Sequence, residues 1–452
     1  MVPFLEKFFP GILRKAAMTK PDMYCVYDSE VLTAVTSSLY IAGLIASLFA
    51  SRLTRALGRR NAMLIGGCIF LVGGAIDGAA QSVAMLIMGR LLLGLGVGFT
   101  NQATPVYLSE VAPAKWRGAL STGFQFFIQV GVIGANCLNY AVADSSNGWR
   151  ISLGGAVVPA AIMTIGALII SDSPSSLVAR GKIDEARISL IKVRGEPNVD
   201  AELNHLIKCN DIAQVAEHEP FVTILERQYR PHLVMSVAIP FFQQVTGVGI
   251  IAFYAPILFK SVGFGSDASL MAAIILGLVT LASILVFSGV VDRLGRRFMF
   301  LFGGVLMFVC QIGAALILAS TAGTDGTKKI PEGYAALILL LMCLYSAGFG
   351  WSWGPLTWLV PSEILPMNVR PAGQSISVAV NFGITFVLSQ AFLSMLCHFK
   401  YAIFLFYAVW VAIMTLFVAL FLPETKGIPM DSMQSVWENH WFWHRYVGPH
   451  RY

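Results

Sequence analysis

Residues 53–60 read LTRALGRR and residues 291–297 read VDRLGRR. One such loop is ordinary, because a short basic segment between apolar runs sets membrane topology. Two copies need another explanation, since each is followed by a second shared stretch. YLSEVAPAKWRGA (107–119) matches LVPSEILPMNVRPAG (359–373), so Glu110 corresponds to Glu363 and Arg117 to Arg370. DSP (172–174) more loosely matches PET (423–425). A chain that repeats itself in this order is built from two homologous halves. Repeated halves with a site at their interface near the bilayer midplane are the common plan of secondary transporters.

The composition agrees. Of 452 residues, 56% are hydrophobic and only 12% charged, about half the charge of a soluble domain. The net charge of +6 does not point to nucleic acid, because the basic residues fall in short loops between apolar runs. Runs long enough to cross a bilayer cover 31–50, 62–80, 85–107, 119–141, 151–170, 232–256, 269–290, 298–320, 335–356, 372–395 and 402–421. These are about eleven spans, split into five and six by the polar segment 172–231. The expected organisation is an outer segment 1–30, an N-terminal half 31–171, a cytoplasmic helical linker 172–231, a C-terminal half 232–422 and a cytoplasmic tail 423–452.

Loop charges orient the chain. Arg52, Arg55, Arg59, Arg60, Lys115, Arg117, Arg293, Arg296, Arg297 and Arg370 collect on one side, which is therefore cytoplasmic. Residues 1–30 then lie outside although they show no signal sequence. The expectation is that a first helix precedes this chain.

Arg59, Arg60, Glu110 and Arg117 in one half, and Asp292, Arg296, Glu363 and Arg370 in the other, all stand at cytoplasmic helix ends. Ion pairs among helix ends would hold the inner mouth shut, and exposed pairs are weak enough to break.

An Arg followed by L-G-R-R in both halves, the paired Glu and Arg motifs, QQVTG (243–247), GPLTWLVPSE (354–363) and PETKG (423–427) resemble the sugar porter family of the major facilitator superfamily. SSLYIAGLIAS (37–47), TPVYLSEVAPAKWRGAL (104–120), PFFQQVTG (240–247) and HWFWHRY (440–446) make the chain most similar to plant monosaccharide–proton symporters. The resemblance runs end to end. It implies an all-α membrane protein with two six-helix halves, the first helix lacking here. It further implies a multi-pass protein of the plasma membrane whose partners are a monosaccharide, protons and the bilayer, with no cofactor and no metal.

A neutral sugar needs groups that both donate and accept, which amides supply, and an aromatic face for its C–H surface. Gln125, Gln129 and Asn136 share nearly one face of the fourth span. Gln243 and Gln244 stand in the sixth, Trp358 follows the ninth, and Asn381 and Thr385 are an i, i+4 pair in the tenth. The resemblance puts Gln125, Gln243, Gln244, Trp358, Asn381 and Thr385 on the family's sugar-contact positions. The competing reading is interhelical bonding, worth about 0.6 kcal/mol a pair. It is preferred for Gln129, Asn136 and Thr246. Two positions depart from the family pattern: Gly249 stands where an Asn is usual, and Thr280 where a second amide is usual. Both changes are expected to weaken or alter sugar selectivity.

Arg90, in LIMGRLLLGLG, is the one strongly placed intramembrane cation, and such a residue normally has a partner. In the resembled symporters its partner is a proton-carrying Asp on the first helix. Asp77 is the nearest carboxylate here, at a span end; snorkelling of Arg90 is the other reading. The resemblance also implies a disulfide between Cys25 and Cys397, the two cysteines placed outside. The different-class alternatives are a truncated, uncoupled product or a sugar sensor that moves nothing. No catalytic triad or spaced metal ligands suggest an enzyme.

Overall fold

In lipid every backbone N–H and C=O must be satisfied within its own segment, so apolar runs of this length become helices. The computed structural model describes residues 2–11, 30–113, 117–143, 145–215, 220–249, 251, 266–321, 331–366, 368–428 and 433–447. A short helix, α1 (Val2–Phe8), is followed by α2 (Glu30–Leu57), α3 (Arg59–Ala79), α4 (Val83–Val111) and α5 (Arg117–Ala141). Next come α6 (Gly148–Gly154) and α7 (Val157–Ile169), and then the linker helices α8 (Pro174–Ala179), α9 (Ile183–Arg194) and α10 (Asp200–Val215). The second half holds α11 (Arg230–Val245), α12 (Ser266–Leu294), α13 (Arg296–Thr321), α14 (Glu332–Gly350), α15 (Trp353–Ile364), α16 (Arg370–Phe399) and α17 (Ala402–Phe421). A tail helix, α18 (Met433–Glu438), closes the described chain.

Nine stretches among the described residues are long and apolar enough to cross a membrane, against about eleven expected. Gln125, Gln129, Asn136 and Asn139 lie along α5, and α11 carries Gln243 and Gln244 in its last turn. One other expectation is corrected. Trp358 does not follow the end of a single ninth helix; α14 stops at Gly350 and Trp358 lies within the separate helix α15.

Close helix approach depends on small residues. A Cβ at Gly94 would lie 2.1 Å from the Leu39 carbonyl, so α4 can sit against α2 only with glycine there. Two seams join the halves, α2 against α16 and α5 against α12, and α15 reaches across to α4 and α5. At the first seam Gly43 faces the Phe382 ring and Gly383 faces Leu44; at the second Gly277 faces Ile133.

The segment between the halves holds α8, α9 and α10. Its helices bury Leu177, Val178, Ala186, Leu190, Val199 and Leu203 in a small core of their own. Acidic Asp184 and Glu185 open α9, basic Lys192 and Arg194 close it, and Gly195 ends it in the left-handed conformation, as the helix dipole and cap rules require. Arg194 ties this unit to the membrane part by donating to the Val111 carbonyl at the end of α4. In the tail, the indoles of Trp441 and Trp443 donate to the Leu420 and Phe421 carbonyls at 2.7 and 2.8 Å. They satisfy acceptors that the last turn of α17 leaves open.

Candidate functional site

The helix α11 breaks immediately after its two glutamines. Gly247 takes a φ of +84°, and a Cβ there would lie 2.8 Å from the Tyr407 ring, so only glycine allows the turn. The break frees the Thr246 carbonyl, which accepts from Gln311 Nε2 at 3.1 Å and from the Tyr345 hydroxyl. A second break separates α14 from α15 at Trp351 and Ser352. Discontinuous helices of this kind build transporter sites because their ends expose directed polar groups.

The two breaks meet. Gln243 Nε2 lies 3.4 Å from the Gly354 carbonyl, just past the second break, while Gln243 Oε1 accepts from Asn381 Nδ2 at 2.7 Å. One turn further along α15, on the same face, Trp358 Nε1 donates to Gln125 Oε1 at 3.1 Å. That bond crosses from one half to the other. The Trp358 ring also meets Phe124 edge-on, with centroids 5.0 Å apart. Val378 and Phe382 pack beside it, with Tyr40, Leu44 and Val97 from the other half. The amide oxygens of Gln125 and Gln243 are thus engaged. The Gln125 NH₂ group, and the second hydrogen of the Gln243 NH₂ group, which already donates once to Gly354, could donate to a ligand's hydroxyl oxygens.

Gln125, Gln243, Trp358, Asn381, Thr385 and Thr280 are all buried, and Gln244 is half-buried. Gln243, Asn381, Gln125 and Trp358 are brought together around α15. Thr385 and Thr280 sit differently. Each bonds back to its own helix, Thr385 to Asn381 O at 2.7 Å and Thr280 to Leu276 O at 2.8 Å. A hydroxyl has only one hydrogen to donate, so in this arrangement neither offers a ligand a donor. Among the described residues, a Cβ at Gly249 would meet only Gln244 Oε1, at 3.5 Å. Gln129 donates to the Gly277 carbonyl across the α5–α12 seam, an interhelical bond. The Thr246 hydroxyl bonds Gln243 O, and it is the Thr246 carbonyl that bonds across helices.

At the helix ends that carry the repeated Arg loops, the two halves repeat one construction. Gly58 and Gly295, with φ of 90° and 92°, precede α3 and α13. Asp172 Oδ1 accepts from the backbone N–H groups of Arg59 and Arg60 at 3.0 and 3.2 Å. Glu424 does the same for Arg296 and Arg297 at 2.9 and 3.1 Å. Each is a helix N-cap whose carboxylate comes from a distant segment, favoured by the helix dipole. Arg59 then pairs with Glu110 at 2.9 Å, and Arg296 with Glu363 at 2.8 Å and Asp292 at 2.9 Å. Ser173 and Thr425 donate to Glu110 and Glu363 respectively.

The Arg59 and Arg296 pairs described here each lie within one half. Arg59–Glu110 joins α3 to α4 within the first half, and Arg296–Glu363 joins α13 to α15 within the second. Arg60 pairs differently from its expected role, donating to the Ala167 and Leu168 carbonyls. Arg370 donates to Leu365 O, and the Arg117 side chain lies outside the described residues. Asp172 and Glu424 were missed as part of the network, although the DSP and PET echo carried the signal.

Arg90 finds a partner, with Nε 3.5 Å from Asp77 Oδ2 and the Asp77 side chain fully buried. Cys397 is in a disulfide; Cys25 lies outside the described residues. The helix α1 packs Phe4 and Phe8 against Trp149, at 5.9 and 5.2 Å between centroids.

A two-half helical fold with broken helices at its centre, and amides shared across the halves, defines a membrane transporter of the major facilitator type. Comparison with known proteins gives the family. The model of the sugar (and other) transporter family matches residues 8–437, and the chain belongs to that family. It is 61% identical to sugar transport protein 5 of Arabidopsis thaliana, over 99% of this chain and 90% of that one. It is 54% identical to hexose carrier protein HEX6 of Ricinus communis, over 99% of this chain and 88% of that one. Among solved structures, the proton:xylose symporter XylE bound to 6-bromo-6-deoxy-D-glucose superposes with a TM-score of 0.81 at 24% identity, covering 96% of each chain. The chain is therefore an integral, multi-pass membrane protein, and its relatives are named as carriers rather than enzymes.

Proposed function

We propose that this protein carries a hexose across the plasma membrane by proton symport with alternating access. The observation that carries this reading is the constellation of Gln125, Gln243, Asn381 and Trp358. It combines amide donors with one aromatic face, the chemistry a neutral sugar requires, and it is assembled from both halves. A sugar bound there bridges the halves, so its arrival and departure are coupled to their rocking about the α2–α16 and α5–α12 seams. The sugar-contact set is Gln125, Gln243, Gln244, Trp358, Asn381 and Thr385, with Gly249 and Thr280 at its edge. The identity to a protein named as a hexose carrier supports the substrate class. The intramembrane charge of Arg90, paired with the buried Asp77, supports coupling to protons. The helix-end networks around Arg59 and Arg296 keep each half rigid while the halves move. A bond between Cys25 and Cys397 would tie the outer segment to the second half.

The test is uptake of a labelled sugar panel by proteoliposomes with and without an imposed pH gradient. Concentrative hexose uptake that requires the gradient is the expected result. Binding without uptake would instead support a sensor.

Gly249 gives a sharper expectation. An Asn side chain has room there beside Gln244 Oε1 and adds a donor to a site where one missing bond costs about 1–3 kcal/mol. Gly249→Asn is expected to tighten apparent hexose affinity by roughly tenfold, taking 1.4 kcal/mol per decade, as read from the concentration dependence of uptake. An unchanged value would remove Gly249 from the site.

A further inference from the structure

Gln374 lies in α16 and is fully buried, yet among the described residues neither its amide oxygen nor its amide nitrogen has a hydrogen-bond partner. It stands seven residues before Asn381 and four before Val378, so the three share one face of the helix. Asn381 bonds Gln243, and Val378 packs beside Trp358. At about 1.5 Å per residue, Gln374 is about 10 Å from Asn381 along the axis, toward Arg370 at the start of α16.

Other buried polar groups collect at the same level. The repeat that matches Arg117 to Arg370 carries Ser121 of α5 onto Gln374. Ser121 is buried, its hydroxyl is unpartnered among the described residues, and it stands one turn before Gln125. The α2–α16 seam supplies Ser51. Gly43 meets the Phe382 ring there. The helix α2 runs toward its Arg loop and α16 runs away from its own. Eight residues on along α2 and eight back along α16 therefore bring Ser51 level with Gln374. The Ser51 hydroxyl is fully buried and unpartnered in the same sense. So are Ser375 Oγ, beside Gln374, and Gln102 Oε1 of α4, one turn past the Gly98 that lies against Ala46.

A folded interior rarely leaves polar groups unbonded, because each gives up water without a substitute. Here such groups come from α2, α4, α5 and α16, which belong to both halves, and all of them are uncharged. A cavity of about 390 Å³ lies next along α2, lined by Arg52, Arg55, Ala56, Ala179 and Phe221. Arg52 follows Ser51 directly, and Arg55 is one turn on. The turn that holds Phe221 also packs on α16.

We propose that Gln374, Ser121 and Ser51 form a second sugar subsite, on the inner route between the Gln243–Asn381 site and this cavity. When the halves part at the ends that carry the Arg loops, the α2–α16 seam opens there and these groups face the path. Their donors and acceptors then take the hydroxyls of a sugar that has left the first site. Uncharged amide and hydroxyl groups suit a neutral sugar. This inference rests on the hexose-carrier reading above.

The test compares the two faces of the membrane at equal pH, in right-side-out and inside-out vesicles from a host without hexose carriers of its own. A sugar entering from the inner face meets the second subsite first. In inside-out vesicles, Gln374→Leu is expected to raise the hexose concentration for half-maximal transport by about fivefold or more, as one lost hydrogen bond implies. In right-side-out vesicles the same value is expected to stay within about twofold. Gln374→Asn keeps an amide and is expected to recover most of the loss. An unchanged value at the inner face would overturn the proposal. An equal change at both faces would also overturn it, because that marks a packing effect. If Gln374→Leu does not reach the membrane, Ser51→Ala decides by the same comparison, with an expected rise of about threefold confined to the inner face. No rise there overturns the proposal. If the unmodified protein moves no hexose in either direction, the carrier reading fails and the subsite fails with it. Transport by the unmodified protein with no face-specific change in the variants removes the subsite alone.

Discussion

Replacing Gln243 with Leu is expected to lower hexose uptake by roughly 30- to 1000-fold, the largest functional effect of any single change at the site. The side chain is buried where two helix breaks meet. Its oxygen accepts from Asn381 at 2.7 Å, and its nitrogen stands 3.4 Å from the Gly354 carbonyl. That long contact leaves the NH₂ group free to turn toward a sugar hydroxyl. Leu removes the donor and strands the Asn381 amide. Two unmade bonds in a dry site cost about 2–4 kcal/mol together, and 1.4 kcal/mol is one decade. Gln129→Leu is the control. It removes the Gln129–Gly277 bond, which lies in the α5–α12 seam, so it should alter stability and leave apparent affinity within about threefold. Initial uptake rates across sugar concentration separate the two. Equal losses in both variants would mean that Gln243 holds helices together and does not bind sugar.

Glu363→Ala is expected to be the most destabilising of the network substitutions, by about 3–5 kcal/mol, because it strands a buried cation. The Arg296 side chain is 7% exposed and Glu363 11%, and two contacts join them, at 2.8 and 3.2 Å. Asp292 pairs with the same guanidinium at 2.9 Å but is 39% exposed. Water screens that contact, so Asp292→Ala should cost no more than about 1 kcal/mol. Unfolding midpoints of the purified variants in detergent give the comparison. A small loss for Glu363→Ala would show that Arg296 is adequately held by Asp292 and the carbonyls. Since the Arg296–Glu363 pair joins helices within one half, its loss should loosen that half before it opens any path between halves.

Much of this was legible in residue types and spacing. Two homologous halves and the membrane spans followed from apolar length and from the doubled Leu–Gly–Arg–Arg loop. These features depend on local composition, and in lipid local composition leaves little choice: a chain that cannot bond to water must bond to itself. The amides Gln125, Gln243 and Asn381 were readable for the same reason, as polar groups too costly to place in a span without a use. Tertiary structure decided the partners. That Gln243 meets Asn381, that Trp358 reaches Gln125 across the halves, and that Asp172 and Glu424 cap helices more than a hundred residues away depend on where helices end and which faces meet. Thr385 stood on a sugar-contact position by resemblance, yet a hydroxyl in a helix has its own carbonyl one turn back as a competing acceptor. The direction of the charge pairs also waited for the fold, because identical residue types at a helix end serve equally well within a half or between halves. Spacing along the chain identifies which charges are available; distance in space selects the pairs.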